Sequence, residues 1–199
     1  MTIYQILEMP IIYKTAQAIL APGMKQIVTE QLRQAVQDVP AGARTLDVGC
    51  GPASWLSYLG MQPVGLDLSH SYTMQYHAAG GTCVTASASE IPFAANSFDL
   101  VLCVALLHHL PEEVARKTVS EMVRVARPGA KLVVFDPVLP ASPLVRPVAY
   151  GLCKLDRGKF IRKQADLRSR VLAPFGWDVR RITHSYIGTE GVIGTLRKN

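Results

Sequence analysis

Apolar positions give the first outline of the chain. Between residues 3 and 20, Ile3, Ile6, Leu7, Ile11, Ile12, Ala16, Ile19 and Leu20 recur at helical spacing, and Pro10 kinks or breaks that segment. Ala21, Pro22 and Gly23 end it. The spacing predicts a second helix from about Met24 to Val36, with Ile27, Val28, Leu32, Ala35 and Val36 on its buried side. Short apolar runs then alternate with helical ones. Strands are predicted at 45–48, 63–67, 82–85, 99–104 and 130–136, and helices at 53–59, 70–79 and 111–126. The 99–104 run is almost wholly apolar, as a strand covered on both faces of a parallel sheet must be. Pro111, Glu112 and Glu113 open the last of these helices in agreement with its dipole, and Arg127, Pro128 and Gly129 stop it. Residues 137–158 are irregular and proline-rich. A helix follows at 163–175, closed by Gly176, and then a pair of strands at 177–184 and 191–196. The alternation predicts an α/β fold: a doubly wound, mainly parallel seven-stranded sheet with an antiparallel edge strand.

The stretch from Thr45 to Ala53 organises the rest. An apolar strand runs into a turn carrying Gly49 and Gly51, which lets the backbone bend sharply and lets a ligand lie against bare peptide. Asp47 stands at the strand tip two residues before the first glycine. A carboxylate there repels a pyrophosphate and attracts an ammonium or sulfonium group. A dinucleotide site uses G-x-G-x-x-G; here Ser54 occupies the place of the third glycine. Asp67 follows at the tip of the second strand, 20 residues after Asp47, where an acid accepts hydrogen bonds from ribose hydroxyls. It is equally placed to cap the next helix, a task Ser69 can share.

Three further blocks follow in order. Ser87 to Phe93 comes after the third strand; Ser97 to Pro111 contains Asp99, His108 and His109; Val125 to Leu132 contains Arg127, Pro128 and Gly129. With the Asp47, Gly49 and Gly51 turn, these resemble the motifs of the class I S-adenosylmethionine (SAM)-dependent methyltransferases, close to the quinone and small-molecule enzymes. The resemblance covers roughly residues 40–136. It implies a Rossmann-like methyltransferase fold, with SAM as cofactor and methyl transfer as activity. Asp47 with Gly49, Cys50 and Gly51 would hold the methionine part and Asp67 with Leu68 the ribose. Ser87 and Ala88 would hold the adenine edge, and the Val104 carbonyl the amino group. Ser87 replaces the aspartate that the family often has, so one neutral hydrogen bond or an Ala88 backbone contact takes its place. The domain expectation is one methyltransferase unit over 1–199. Residues 1–40 form a helical lid, 41–136 the cofactor core, and 137–199 a substrate-side insert and hairpin.

Methyl transfer to an alcohol or phenol needs a base. His109, His108 and Asp136 lie at the ends of the fourth and fifth strands, where open α/β sheets bind ligands. Adjacent histidines point different ways, so one of them packs or caps. Tyr4 and Tyr13 are candidates for a lid over the acceptor, or for plain packing.

Composition changes this picture little. The chain has 199 residues and suits one domain. No run of about 20 uncharged apolar residues occurs, and the start lacks a signal-peptide layout, so a cytoplasmic location is expected. Cys50, Cys83, Cys103 and Cys153 form no C-x-x-C pair and read as buried free thiols, with no metal site expected. Charge is uneven: residues 1–150 balance at −1 and residues 151–199 at +7. Three readings are therefore weighed: methylation of a small-molecule acceptor, methylation of nucleic acid through the basic residues 154–170, and SAM binding without catalysis. The fourth strand ends in Cys103, Val104 and Ala105, without the N/D-P-P-Y/F of base amino-methylating enzymes, and base-stacking aromatics are not interleaved there. The small-molecule reading is preferred. Contact of the amphipathic 3–20 segment with a membrane surface is possible but not favoured over core packing, and oligomeric state is left open.

Overall fold

The computed structural model describes residues 22–155 and 158–199. The helix expected at 3–20, with Tyr4 and Tyr13, lies outside these residues.

Seven strands form one sheet: β1 (Thr45–Val48), β2 (Val64–Asp67), β3 (Thr82–Thr85), β4 (Phe98–Val104), β5 (Ala126–Val138), β6 (Asp178–Thr183) and β7 (Glu190–Arg197). Their spatial order is β3-β2-β1-β4-β5-β7-β6. The first five run parallel, and β7 lies antiparallel between β5 and the outermost strand β6. The order reverses between β1 and β4, and at such a switch point the strand ends splay to leave a crevice.

Helices cover both faces. Helix α1 (Met24–Val36) buries Val28 and Leu32 completely against Leu102, Val133 and Phe135. It is thus part of the core. Helix α3 (Glu112–Val125) buries Val119, Met122 and Val125 against Val101, Cys103 and Val134 on the other face. Even and odd positions of β4 serve opposite layers, which is why its sequence shows no polar alternation. Helix α2 (His70–Ala78) flanks β2 and β3, with the Ser69 hydroxyl accepting from the Tyr72 amide at its start.

Three elements differ from the sequence expectation. The helix expected at 53–59 is a 3₁₀ turn over Trp55–Leu59, capped by Ser54 and closed by Gly60 at φ 76°. The segment 137–158, expected to be irregular, contains helix α4 (Pro147–Leu155). Proline at the first helical position starts a helix, since its missing N–H has no intrahelical partner to lose. The helix at 163–175 is a composite. Helix α5 (Gln164–Asp166) passes into π turns at Leu167–Leu172 and a 3₁₀ turn at Ala173–Phe175, before Gly176 reverses the chain at φ 72°. Leu167, Val171 and Leu172 are buried, so core packing holds this irregular helix in place.

Candidate active site

The glycine turn is built by β1 and its neighbour β2. Gly49 and Gly51 have φ of 74° and 60°, where side chains are strained. The amides of Gly49 and Cys50 both donate to the Leu66 carbonyl, at 2.7 and 3.1 Å, which pins the turn to β2. A Cβ on Gly49 would strike the Leu106 side chain, whereas the space beside Gly51 is open. The Cys50 side chain turns inward, with Sγ 3.5 Å from Cys83 Sγ, and burial pushes both thiols up. Cys50 therefore presents only backbone to the crevice.

Two carboxylates flank this turn. Asp47 is buried; Oδ2 accepts from the Ser54 hydroxyl at 2.5 Å, and Oδ1 has no hydrogen-bond partner. Burial pushes its pKa up to about 7, with the Asp67 charge adding to the rise and the Ser54 hydroxyl opposing it. A buried carboxyl with an unmatched oxygen is the kind of group a bound cation completes. Asp67 bridges the turn to β2: Oδ2 accepts from the Gly51 amide at 2.9 Å and Oδ1 from the Ser69 amide at 2.8 Å. Each oxygen keeps a second lone pair, so two vicinal hydroxyls can still bind. Open peptide at Gly51, an unmatched acid at Asp47 and spare acceptors at Asp67 fit the ammonium, sulfonium and ribose groups of SAM.

The remaining cofactor candidates follow β2, β3 and β4. Leu68, beside Asp67, is 75% exposed and offers an apolar surface there. The Ser87 hydroxyl bonds the Ser89 hydroxyl at 2.9 Å and accepts from the Ser89 amide at 3.3 Å, so it shapes its own loop. Ala88 packs against the core beneath. Arg124 and Glu121 of α3 fix this loop's far end: the guanidinium donates to the Ile91 and Phe93 carbonyls, and Glu121 accepts from the Ile91 amide. Val104 ends β4, and the next residue, Ala105, sits at φ 54° with its amide donating to Phe135 O at 2.7 Å. This non-glycine positive φ turns the chain sharply at the top of β4.

The turn at Leu107–His109 separates the two histidines. His108 is buried, and its Nδ1 lies 3.0 Å from Oδ1 of the buried Asp136. His109 is exposed, with its ring centroid 4.0 Å from that of His108. Sequence reasoning left the orientation of the pair open; the 3₁₀ geometry turns His108 inward.

A strap from the insert holds this turn, and no sequence signal marked it. The Arg162 guanidinium donates to Leu107 O at 2.8 Å and Leu110 O at 2.6 Å, while the Phe160 amide donates to His108 O at 3.0 Å. Arg162 is itself fixed by a bridge to Val138 at the end of β5. Gly158 lies so close that a Cβ there would collide with the His108 ring. His184, also missed, stands edge-on to Phe135 at 5.4 Å, with Nε2 buried and unpartnered. Burial pushes its pKa down to about 4, so it is neutral near pH 7. Among the described residues, no group of three or more His, Cys, Asp or Glu side chains could hold a metal ion.

Known proteins resemble this chain in sequence and in fold. Residues 46–134 match the family described as methyltransferase domain. A putative methyltransferase of Encephalitozoon cuniculi is 32% identical over 153 residues, covering 76% of this chain and 65% of that protein. The tRNA (carboxymethyluridine(34)-5-O)-methyltransferase of Arabidopsis thaliana is 34% identical over 99 residues, or 47% of this chain and 24% of that protein. The chain thus spans from about a quarter to just under two thirds of these relatives. Magnesium protoporphyrin IX methyltransferase from Synechocystis PCC 6803 with bound SAM shares the fold at a TM-score of 0.64 and 20% identity, covering 88% of this chain and 80% of that one. Residues 46–134 are thus similar to the methyltransferase domain family, and the fold is one shared with a methyltransferase solved with bound S-adenosylmethionine.

Proposed function

We propose that this protein transfers the methyl group of SAM to a small-molecule acceptor held over the ends of β4 and β5. The single observation that carries the reading is the pair of carboxylates flanking an open glycine turn, with Asp47 Oδ1 left unmatched. Bound there, SAM supplies an electrophilic methyl on a sulfonium. The backbone at Gly49 to Gly51 and Asp47 would hold its amino-acid end, with the Val104 carbonyl on the ammonium. Asp67 and Leu68 would hold the ribose, and Ser87 and Ala88 the adenine edge. The chain's part in the chemistry is positioning and exclusion of water.

His108 is the base this geometry favours. Its Nδ1–H donates to Asp136, which fixes the tautomer with the lone pair on Nε2 and steadies the charge once a proton arrives. That suits an acceptor O–H or N–H. Asp136 then acts through His108, and His109, on the exposed side of the turn, is the alternative base. Single-domain organisation, with the insert after β5 on the acceptor side, belongs to the same reading. So does a cytoplasmic location.

Methylation of RNA is the second reading, favoured by the partial match to a tRNA methyltransferase. The small-molecule reading is supported by the fold shared with the porphyrin enzyme along most of both chains. The test incubates the protein with methyl-labelled SAM and either a small-molecule extract or total RNA. Label in the small-molecule fraction, lost in His108→Ala while SAM affinity holds, is the expected result. Label in RNA alone overturns the acceptor class, and an active His108→Ala overturns the base.

A further inference from the structure

The net charge of this chain and three strongly exposed aliphatic side chains fall in one stretch. Residues 139–175 carry eight Lys and Arg against two Asp, a balance of +6, which equals the balance of the whole chain. All other residues together are neutral. Within this stretch Leu144 is 94% exposed, Val145 76% and Val148 65%. Single exposed aliphatics are ordinary on a protein surface, but three within five residues at the start of one helix form a patch.

A cleft lined by cations adjoins the patch at Pro143. Pro143, next to Leu144, lines an open cleft of about 1050 Å³ together with Tyr150, Lys163 and Arg168. Lys154 Nζ lies 5.6 Å from the Tyr150 ring centroid. Among the described residues, Lys154, Lys163 and Arg168 have no carboxylate partner, so their charge is available to an outside anion.

We infer that the Leu144, Val145 and Val148 tip docks on an anionic lipid surface, with Lys154, Lys163 and Arg168 facing lipid phosphates. Aliphatic side chains gain by entering the headgroup–acyl boundary, and each nearby cation adds attraction to a negatively charged leaflet. A second copy of the chain fits less well, because pairing this face with itself brings like charges together. Nucleic acid also fits less well, because the tip offers no ring on which a base can stack. Docking needs no spanning helix, and none of the described helices is long and apolar enough to cross a membrane. The inference rests on none of the catalytic assignments.

The test is flotation of the full chain with phosphatidylcholine vesicles, with and without an equal share of phosphatidylglycerol. The chain is expected to float with the anionic vesicles and to partition about tenfold less onto neutral ones. Leu144→Ser with Val148→Ser should weaken anionic-vesicle binding by about tenfold or more, since exposed positions can lose apolar area without loss of fold. Lys163→Gln with Arg168→Gln should weaken it several-fold and flatten its salt dependence. Circular dichroism checks the fold of each variant, and SAM affinity should be unchanged in both. Failure of the wild-type chain to float with anionic vesicles overturns the proposal, as does a tip variant that floats equally well. Light scattering that shows a dimer dispersed by the tip variant assigns the patch to self-association instead. Tight RNA binding that survives the tip variant, without vesicle binding, assigns the charge to nucleic acid.

Discussion

The Ser54 hydroxyl donates to Asp47 Oδ2 at 2.5 Å and leaves Oδ1 of the same buried carboxyl unmatched. Because burial raises the Asp47 pKa to about 7, SAM binding should depend on pH. The cationic cofactor favours the ionised form, so affinity should fall about tenfold per pH unit below 7 and level off above it. Binding near pH 6 should release a proton, visible as a buffer-dependent heat in titration calorimetry. Asp47→Asn should remove both effects. A flat pH profile in the wild-type protein argues against contact between Asp47 and the ammonium.

Ser54 has a second task, accepting from the Leu56 amide at 3.1 Å as the cap of the 3₁₀ turn. Ser54→Ala should therefore cost about 1 kcal/mol of stability, as loss of such a cap does. It should also raise the Asp47 pKa further, because the hydroxyl favours the carboxylate. The combined readout is a lower unfolding midpoint together with a SAM pH profile shifted upward. A shift in stability alone would mean that the hydroxyl does not tune the acid.

Arg162 acts on the proposed base through the backbone of its turn. Arg162→Gln should leave SAM affinity within about twofold, because its guanidinium bonds the Leu107 and Leu110 carbonyls and none of the groups proposed to hold SAM. Turnover should fall by about tenfold or more as the base loses its geometry. Gly158→Ala should do the same by pushing the His108 ring away from Asp136. The readout is the downfield Nδ1 proton of His108 in NMR spectra. It should be present in the wild-type protein and broadened or lost in both variants. Variants that keep the signal and the turnover would reduce the strap to a structural role.

His184 links stability to acid. Its folded pKa of about 4 lies below the ordinary histidine value of 6.5, so the neutral form is favoured by folding. Its contribution is present above pH 6.5 and lost as pH falls toward 4, at most about 3 kcal/mol. Asp47 runs the other way: its folded pKa is raised, so its contribution is full below about pH 4 and lost as pH rises through about 7. The two partly cancel over one window. In an Asp47→Asn background, acid should destabilise the protein more steeply between pH 6.5 and 4, and adding His184→Gln should flatten that slope. Denaturant unfolding at several pH values measures both.

The parts of the site legible in the sequence are those set by neighbouring residues. Asp47, Gly49 and Gly51 declare a strand, a turn and a charge within five positions, and Asp67 follows at the next strand tip. Burial on both faces made β4 visible as an apolar run. Helix α4 was hidden because Pro147 and Gly151 read as breakers, although proline at a first position starts a helix. Arg162 and His184 carried no signal, because their partners are distant in the chain: Arg162 bonds residues 52 and 55 positions away. The composite helix over 164–175 kept its position while losing regular geometry, since three buried side chains fixed it and propensity did not.

The placement of β7 has a consequence for synthesis. Residues 190–197 pair with β5 on one side and β6 on the other, so β5 has only its ladder with β4, and β6 has none, until this stretch has left the ribosome. Until then β5 and β6 are two open edges bearing unpaired peptide groups, the form of strand most prone to joining another nascent chain. A chain cut short before Glu190 should accordingly aggregate even though its whole cofactor crevice has already been made.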